Sequence, residues 1–358
     1  MNKTYRILVI NPGSTSTKIA IYENEKEVIT ETIKHSADEI KQFETIYSQL
    51  DFRKNLVLEV LKKNNIDLNT IDAIAGRGGN MKPVAGGTYL VNEPMIEDLK
   101  VGVMGQHASN LGGIIAHEIG KPYGLKAYVV DPVVVDEFEE ISRISGMPEI
   151  PRKSKDHPLN SKAVARKAAK ELGAKYDELN IITAHLGGGI SIGIHKKGRV
   201  VDVNNALDGD GPFSPERAGG LPVGGLVDLC FSGEYTKAEI RKKIVGNGGL
   251  VAYLGTNDGR EVQEMINNGD KKAELVYKAM AYQIAKAIGA SATVVKGNVD
   301  AIVLTGGLAF DKVLMGWIEE SVNFISKVFV YPGEYEMVAL TEGVIRVLNG
   351  EEELKEYK

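Results

Sequence analysis

The chain has 358 residues, of which 43% are hydrophobic and 25% are charged, and its formal net charge is −5. This length predicts two domains, and the acidic balance argues against nucleic acid or an anionic membrane as the main partner. The single cysteine, Cys230, excludes an intrachain disulfide, which fits a reducing cytosol. No apolar run approaches the ~18 residues of a membrane span, and a cytoplasmic protein is therefore expected.

The first predicted element is a β-hairpin at residues 6–22. An apolar run at 7–10 is followed by a polar turn and by a second strand that alternates through Ile19 and Ile21. The turn, NPGSTSTK at 11–18, combines glycine, hydroxyl groups and a lysine. Exposed N–H groups in such a turn can surround an anion, whereas ordinary turn chemistry is the alternative interpretation.

Apolar spacing predicts the elements up to residue 135. They are a polar connection to about His35, helices at 36–65 and 106–120, and strands at 71–75, 88–91 and 128–135. The strand at 71–75 leads into Gly76-Arg77-Gly78-Gly79, where Arg77 is an anion-site candidate or a solvated charge in a flexible loop. Asp131 interrupts the apolar run at 128–135 and must be satisfied by partners or be functional.

A proline-rich and charged segment at 144–157 marks the predicted boundary between domains. His157 at its end is expected to be a surface-loop histidine. Beyond it, the pattern predicts helices at 160–173, 236–245, 259–267, 271–296, 311–327 and 337–348, and a strand at 328–331.

The layout of the first hairpin recurs in the second half of the chain. Residues 180–195 form a strand that ends at His185, a turn at Gly187–Gly189, and an alternating strand. A third strand, at 301–304, runs into Thr305, Gly306 and Gly307. The recurrence predicts a duplicated fold with phosphate bound at the glycine turns.

The long irregular segment at 202–220 contains a single cation, Arg217. Structureless segments of this length in compact domains tend to be functional. Its Asp208-Gly209-Asp210-Gly211 lacks the other ligand positions of a calcium loop, so turn chemistry is the better interpretation. The usual P-loop, dinucleotide-binding and zinc-protease motifs are absent from the sequence.

Seven segments together resemble the butyrate kinase branch of the acetate kinase family, in the superfamily of sugar kinases, heat-shock chaperones and actin. They are INPGSTSTK (10–18), GRGG (76–79), DP (131–132), HLGGGISIG (185–193), GPFSPERAGGLPVGGL (211–226), LTGG (304–307) and YPGEYE (331–336). The resemblance implies two duplicated ribonuclease-H-like, actin-like ATPase domains. Each is a mixed α/β sheet flanked by helices, with a nucleotide cleft between them. The implied domains are 1–155 with a returning helix at 337–358, and 156–336.

The resemblance also implies roles for residues of the first half and the C-terminus. Asn11 contacts phosphate, and Ser14, Ser16 and Lys18 belong to the first phosphate motif. Arg77 holds the acceptor carboxylate. Asp131 orients the magnesium shell, and Glu336, or alternatively Glu334, lies near the metal.

For the second half, the resemblance implies that His157 contacts the transferring phosphoryl group. His185 and Gly187, Gly188 and Gly189 form the second phosphate motif, and Gly306 and Gly307 contact adenosine. One departure is that the family's second catalytic arginine has no counterpart in 222–226. Arg217 is predicted to replace it, and Pro222 is assigned to the substrate pocket.

Two further departures concern the acyl pocket. Gly79 and Asp156 stand where acetate kinases carry a valine and a phenylalanine, so the sequence predicts room for a longer acid such as butyrate. A glycine that serves only the turn is the alternative.

The implied activity is reversible phosphoryl transfer between ATP and butyrate, or a short branched-chain fatty acid, with ATP/ADP and Mg²⁺ as cofactors. Alternatives are an acetate or propionate kinase, a sugar kinase with Asp131 as base, or a chaperone or filament-forming ATPase. A chaperone is expected to carry a further peptide-binding domain. The expected partners are a small carboxylic acid and ATP, without nucleic acid or membrane, and a homodimer or higher homo-oligomer is predicted.

Overall fold

The computed structural model describes residues 3–358, in which strands and helices form a mixed α/β structure. In chain order they are β1 (Arg6–Pro12), β2 (Ser16–Glu23), β3 (Lys26–Lys34), α1 (Ala37–Lys41), α2 (Leu50–Lys63), β4 (Ala73–Gly76), β5 (Thr88–Leu90), α3 (Glu93–Val101), α4 (Asn110–Gly120), β6 (Ala127–Val130), α5 (Glu140–Arg143), α6 (Pro158–Glu171), β7 (Asn180–Leu186), β8 (Ile190–Lys196), β9 (Arg199–Val203), α7 (Val223–Phe231), α8 (Lys237–Ile244), α9 (Gly249–Leu254), α10 (Gly259–Asn267), α11 (Lys271–Val294), β10 (Ala301–Gly306), α12 (Lys312–Val322), β11 (Val328–Pro332), α13 (Glu336–Leu348) and β12 (Lys355–Glu356).

The structure divides into two units. Unit 1 runs up to Asp136 and regains the chain at Tyr335–Lys358, and unit 2 is Glu137–Glu334. The predicted domains divide about twenty residues later in sequence, at 155/156, and their assignment as ATPase domains stays a prediction. Met1 and Asn2, which belong to the first predicted domain, lie outside the described residues.

Unit 1 is built on a seven-stranded sheet in the order β12-β5-β6-β4-β1-β2-β3. The strands β1, β2 and β3 form an antiparallel meander, and β4 and β6 continue the sheet parallel to β1. Ile7 to Ile10 are all fully buried, as expected for a central strand with helices on both faces. Helices α4 and α13 both pack against β1, β4 and β6.

Unit 2 is built on a five-stranded sheet in the order β11-β10-β7-β8-β9. The strands β7, β8 and β9 form an antiparallel meander, and β10 and β11 run parallel to β7. This is the order and direction of β6-β4-β1-β2-β3 in unit 1. The duplication predicted from the two hairpins is therefore present as a shared sheet topology.

Three predicted elements differ from the structure. The expected polar connection before His35 is the edge strand β3, because β-branched residues alternate there and Ile29 and Ile33 pack on the core. The helix expected at 36–65 breaks between α1 and α2, where Thr45 and Ser48 exchange side-chain hydrogen bonds that compete with the helix. The strand expected at 128–135 ends at Val130, because Pro132 has no N–H to continue it.

Several other elements were not predicted at all. These elements are short, and the apolar periodicity within them is too brief to decide between helix, strand and loop. They are the helices α3, α5, α7 and α9 and the strands β9 and β12. Helix α7 is apolar but has no buried residue, with Val223 70% and Phe231 87% exposed. Among residues 3–358, no helix is both long and apolar enough to cross a membrane.

Candidate functional site

The turn between β1 and β2 presents backbone donors to solvent. The Gly13 N–H closes the turn by donating to the Ser16 carbonyl at 2.7 Å. Ser14 and Thr15 at its tip are exposed, and within residues 3–358 their N–H groups donate to no acceptor. These two unused donors, with the adjacent hydroxyl groups, give the turn the chemistry of an anion site.

Three residues predicted for the site meet beside this turn. The Glu336 carboxylate, at the first turn of α13, accepts from the Asn11 side-chain amide at 2.9 Å and forms an ion pair with Nη1 of Arg77. Asn11 ends β1, where the register pairs it with Lys18 of β2. Parallel pairing of β1 with β4 brings Arg77 to the same end of the sheet, and its N–H donates to the Ile10 carbonyl at 2.9 Å. The Arg77 side chain is 11% exposed.

Glu336 and Glu334 were alternatives for the acid near the metal. Glu336 lies in the cluster with Asn11 and Arg77, whereas Glu334 is exposed and belongs to unit 2. The geometry therefore favours Glu336 as the residue of unit 1 that shares the site, although its role towards a metal stays a prediction.

Asp131 follows β6 in a strained backbone conformation. Its φ is +38°, in the left-handed region, and only 1% of its surface is exposed. One carboxylate oxygen accepts from the Gly87 N–H at 2.7 Å, and the Asp131 N–H donates to the Gly87 carbonyl at 2.9 Å. Strain of this kind is frequent at functional sites, and the paired bonds to Gly87 hold it in place.

The carboxylates of Asp131 and Glu336 are the two groups predicted to lie near a magnesium ion. Among residues 3–358, no group of three or more His, Cys, Asp or Glu side chains is arranged to hold a metal ion. Mg²⁺ usually keeps several waters and is bound through one or two carboxylates together with substrate phosphates. Asp131 and Glu336 fit a Mg²⁺ ion that arrives with a nucleotide better than a permanent metal centre.

Gly79 lies against the N-terminus of α4. A Cβ at this position would collide with Asn110, whose backbone nitrogen would be 2.6 Å away. The Asn110 side chain also accepts from the Asn80 N–H at 2.8 Å. The room that a side chain at Gly79 would take is thus filled by the helix, so the glycine is explained by close packing. Its place in the substrate pocket stays a prediction, but the structure gives no support for an enlarged pocket at this position.

In unit 2, two histidines predicted for the site are stacked on each other. The rings of His157 and His185 are 4.1 Å apart between centroids and nearly parallel, at 12°. His157 precedes α6, and Asn160 of that helix places its side-chain nitrogen 2.9 Å from Nδ1 of His185. Because the amide nitrogen donates, Nδ1 accepts and Nε2 carries the proton of a neutral His185. His157 lies in the loop before α6, as expected, but it is partly buried, and its ring stacks on His185 at the end of β7.

The turn between β7 and β8 is formed by Gly187, Gly188 and Gly189. It is closed by a bond from the Gly187 N–H to the Gly189 carbonyl at 3.0 Å, and the Ser214 hydroxyl donates to the Gly188 carbonyl at 2.5 Å. The guanidinium of Arg217 lies against Gly189, where a Cβ would collide with it. Burial lowers the pKa of Arg217, and its Nη1 donates to the Ala206 carbonyl at 3.2 Å. The structure thus brings Arg217 to the second glycine turn.

A cavity of 880 Å³ opens beside this turn within unit 2. Gly187, Gly188 and Gly307 line it, and Gly306 lies at the end of β10 with φ +94°, packed against the Leu186 backbone. The rest of the lining is mixed, with apolar and aromatic groups beside polar ones; it includes Leu308, Phe310, Val313, Tyr277, Asn257, Asp258, Arg260, Gln263 and Asp311. This volume and lining suit a ligand of nucleoside size.

Pro222, the remaining residue predicted for the substrate pocket, lies on the surface. It is exposed and precedes α7, whose residues are not buried in unit 2. No contact of Pro222 with the cavity or the glycine turn is found in residues 3–358, and its assignment to the substrate pocket stays a prediction.

Comparison with known proteins identifies the relatives of the chain. Residues 151–315 match the acetokinase family. Over 99% of this chain and 100% of the relative, it is 59% identical to butyrate kinase 1 of Clostridium acetobutylicum, and over 99% of each protein it is 58% identical to butyrate kinase 2 of that organism. The chain belongs to the acetokinase family.

The fold of this acetokinase agrees with a solved structure of the family. The crystal structure of acetate kinase from Porphyromonas gingivalis matches with a TM-score of 0.78 and 21% identity, covering 96% of this chain and 100% of that one. The predicted fold class and the predicted enzyme class, a kinase of this family, are confirmed. A kinase is therefore a better interpretation of the chain than a chaperone or a filament-forming ATPase.

Sequence reasoning missed several residues that lie beside the first turn or line the cavity of the candidate site. Arg53 of α2, beneath the first turn, appeared only as a polar position of a helix. Asp258 and Arg260 at the start of α10 form an ion pair at the cavity, which lowers the pKa of Asp258 to about 2. Asp311 accepts from the Tyr277 hydroxyl at 2.9 Å, and burial and this neighbour raise the pKa of Tyr277. An Asp-Gly-Arg sequence before a helix was the only signal available in the sequence.

Proposed function

We propose that the protein transfers a phosphoryl group reversibly between ATP and butyrate, or a short branched-chain relative, giving butyryl phosphate and ADP. The observation that carries the proposal is the identity of 59% over 99% of the chain to a protein named butyrate kinase 1. The clusters of charged and glycine residues at the ends of β1, β4 and β7 support it.

The reaction needs positioning of anions and no general base. A carboxylic acid with a pKa near ~4 to 5 is ionised at pH 7, so its oxygen can attack the terminal phosphorus of ATP directly. The bond from that phosphorus to the bridging oxygen breaks, ADP keeps the electron pair, and no proton moves. The obstacle is repulsion between the carboxylate and the phosphates.

Arg77 is proposed to bind the acceptor carboxylate. It already holds a carboxylate, that of Glu336, in the geometry of an ion pair at a nearly buried position. Its planar guanidinium has donors for two carboxylates at once. Asn11, which shares Glu336 with Arg77, and the Ser14–Lys18 segment are proposed to bind phosphate oxygens.

In unit 2, His157, Arg217 and the turn Gly187–Gly189 are proposed to bind the transferring phosphoryl group. His185 is proposed to support them, because its ring stacks on that of His157 with the centroids 4.1 Å apart. Adenosine is proposed to occupy the 880 Å³ cavity, with Phe310 and Leu308 against the base and the Asp258–Arg260 pair near the ribose. When bound with the nucleotide, Mg²⁺ supplies positive charge to the phosphates.

The proposal is tested by incubating the protein with ATP, Mg²⁺ and butyrate and trapping acyl phosphate with hydroxylamine. Acetate, propionate and isobutyrate are compared at equal concentration, and glucose serves as the acceptor of a sugar kinase. We expect the highest kcat/KM with butyrate or isobutyrate and no sugar phosphate. Preference for acetate contradicts the substrate but not the phosphoryl transfer, and absence of hydroxamate with every acid contradicts the reaction.

Two further proposals concern the oligomeric state of the protein and its location in the cell. A homodimer or higher homo-oligomer is proposed, for which sedimentation equilibrium of the purified protein is the direct measurement. A cytoplasmic location is proposed from the single cysteine.

A further inference from the structure

Arg53 is a buried cation in unit 1 that the proposed mechanism does not use. It is 0% exposed and is the largest of the fully buried side chains described. Within residues 3–358 it has no carboxylate partner, and burial lowers its pKa to about 10. A buried charge without an opposite charge is unfavourable for folding, so its presence calls for a physical reason.

All hydrogen bonds from the Arg53 guanidinium go to neutral oxygens, most of them in the β1–β2 turn. Nη1 donates to the Gly13 carbonyl at 2.9 Å, the Ser16 carbonyl at 3.1 Å and the Thr17 hydroxyl at 3.0 Å. Nη2 donates to the Ser14 carbonyl at 3.3 Å. The planar guanidinium of Arg53, whose N–H directions are fixed, therefore holds the turn in place from the side on which α2 lies.

This arrangement settles which way the peptide groups of the turn point. The carbonyls of Gly13 and Ser14 face Arg53, and in a trans peptide the following N–H points the opposite way. The following N–H groups are those of Ser14 and Thr15, the two that have no acceptor in the described chain. The Thr15 carbonyl is also occupied, because it accepts from the His35 N–H at 2.9 Å. The donors at the tip of the turn are thus aimed outward by the acceptors being held inward.

We infer that Arg53 is the positioning residue of the first phosphate turn: it aims the Ser14 and Thr15 N–H groups at the phosphate and adds an uncompensated positive charge behind them. This inference rests on the proposed function, because it assumes that the turn binds phosphate. The charge acts through the turn and not by contact, so Arg53 affects phosphate affinity without touching the nucleotide.

The charge can be neutralised in place by a change at Gln49. The side-chain oxygen of Gln49 accepts from Nε of Arg53 at 3.0 Å, and Gln49 is 3% exposed. Gln49→Glu has the same shape and gives Arg53 a carboxylate partner. We expect the melting temperature to stay equal or rise, while the Kd for ATP rises about tenfold because the turn loses positive potential. A purely structural Arg53 predicts an unchanged Kd.

The geometry is tested separately with Arg53→Lys, which keeps the charge but loses the fork. We expect kcat/KM for ATP to fall on the order of 100-fold, since misplaced donors no longer fit the phosphate. In both variants the Kd for adenosine, measured by calorimetry, stays at the wild-type value, because adenosine has no phosphate. The matched control is Arg346→Lys, at an arginine of unit 1 that pairs with Glu352; it leaves ATP and adenosine affinity unchanged.

Two outcomes overturn the inference. One is a folded Arg53→Lys and a folded Gln49→Glu that both bind ATP as the wild type does. The other is an equal loss of ATP and adenosine affinity, which indicates general damage to the fold. If Arg53→Lys does not fold, the Gln49→Glu result decides alone. A wild type that forms no acyl phosphate contradicts the proposed function instead, and the two failures are therefore distinct.

Discussion

The β1–β2 and β7–β8 turns, which we propose to bind phosphate, each have an arginine beside them, but the two arginines use their donors differently. Behind the β1–β2 turn, Arg53 is fully buried and its donors are used by the turn's own oxygens. At the β7–β8 turn, the guanidinium of Arg217 packs against Gly189. Its Nη1 donates to the Ala206 carbonyl, and within residues 3–358 its Nε has no acceptor. The donors of Arg53 are thus occupied by acceptors of the protein, whereas Arg217 has donors for which the described residues provide no acceptor.

We propose that the shape of each turn and the binding of its ligand depend on different residues, and that only the first turn needs an arginine for its shape. Near the first turn, Arg53 holds the carbonyls of the turn, and Arg77, after the neighbouring strand, is the residue proposed to bind the acid. The second turn needs no arginine for shape, because three successive glycines and the Ser214 hydroxyl define it. Its arginine is available for the transferring group.

The largest effect is expected for Arg217→Ala. If this arginine stabilises the charge of the transferring phosphoryl group, kcat falls on the order of 1,000-fold while the KM values change little. The melting temperature should stay close to wild type, because the side chain makes a single described hydrogen bond. Steady-state kinetics with the hydroxamate assay measures both parameters. Arg241→Ala, at an exposed arginine paired with Asp208, is the control, and wild-type kcat in Arg217→Ala means that another group replaces the family's second arginine.

A smaller effect, concentrated on the acid, is expected for Arg77→Ala. The KM for butyrate should rise more than the KM for ATP, and kcat/KM for butyrate should fall on the order of 100-fold, since a charge-assisted bidentate partner is lost. Kinetics with each substrate varied in turn separates the two KM values. Equal changes in both KM values would show that Arg77 serves the nucleotide, and loss of the folded state by circular dichroism would show that its pairing with Glu336 is structural.

The two turns differ again in how they tolerate a methyl group. In Gly189→Ala the new Cβ collides with the Arg217 guanidinium, so kcat should fall about 30-fold as the arginine is displaced. In Gly13→Ala the nearest atom is the Ser16 hydroxyl oxygen at 3.5 Å, an ordinary contact, so kcat/KM should stay within about threefold of wild type. The pair is compared by kcat and melting temperature. Similar losses in both variants would remove the proposed difference between the turns.

The smallest effect concerns pH and is confined to the first turn. Burial and the charge of Arg53 lower the pKa of His35 from 6.5, and its Nε2 lies 2.9 Å from the Thr17 hydroxyl that also accepts from Arg53. Because the unfolded chain binds this proton more tightly, the stabilisation is complete above pH 6.5 and is lost as the pH falls below it. His35→Gln should reduce this loss, measured by denaturant unfolding at several pH values. His107, whose pKa is lowered by burial and by Arg77 and Arg53, keeps part of the dependence; an unchanged pH profile excludes His35 as a contributor.

The hairpins and their glycine turns were predictable from the sequence, because alternating strands and glycine turns are local patterns. The C-terminal strand β12, the meander strand β3 and the exposed helix α7 were less accessible. The meander was hidden by the lysines and glutamates of an edge strand, and α7 carries two glycines that resemble a loop.

The site was predictable where a residue stands at a strand end and was missed where tertiary structure brings it there. Asn11, Arg77 and His185 stand at strand ends, and the sheet register brings Asn11 and Arg77 together. Arg53 lies forty residues after the turn that it contacts, on a helix whose periodicity gives no sign of it. At Gly79 the sequence does not show that α4 packs against the glycine, so close packing could not be distinguished from room for a longer acid.

The closure of unit 1 by the end of the chain has a consequence for synthesis. The strand β12 pairs with β5, and the Tyr357 hydroxyl donates to Asp98 at 2.6 Å, so the edge of the sheet is completed by residues that are synthesised only after the whole of unit 2. Unit 2 is continuous in sequence and can fold while unit 1 still lacks the segment Tyr335–Lys358. Glu336 belongs to that segment, and so the carboxylate that pairs with Arg77 reaches its partner only after unit 2 has been synthesised.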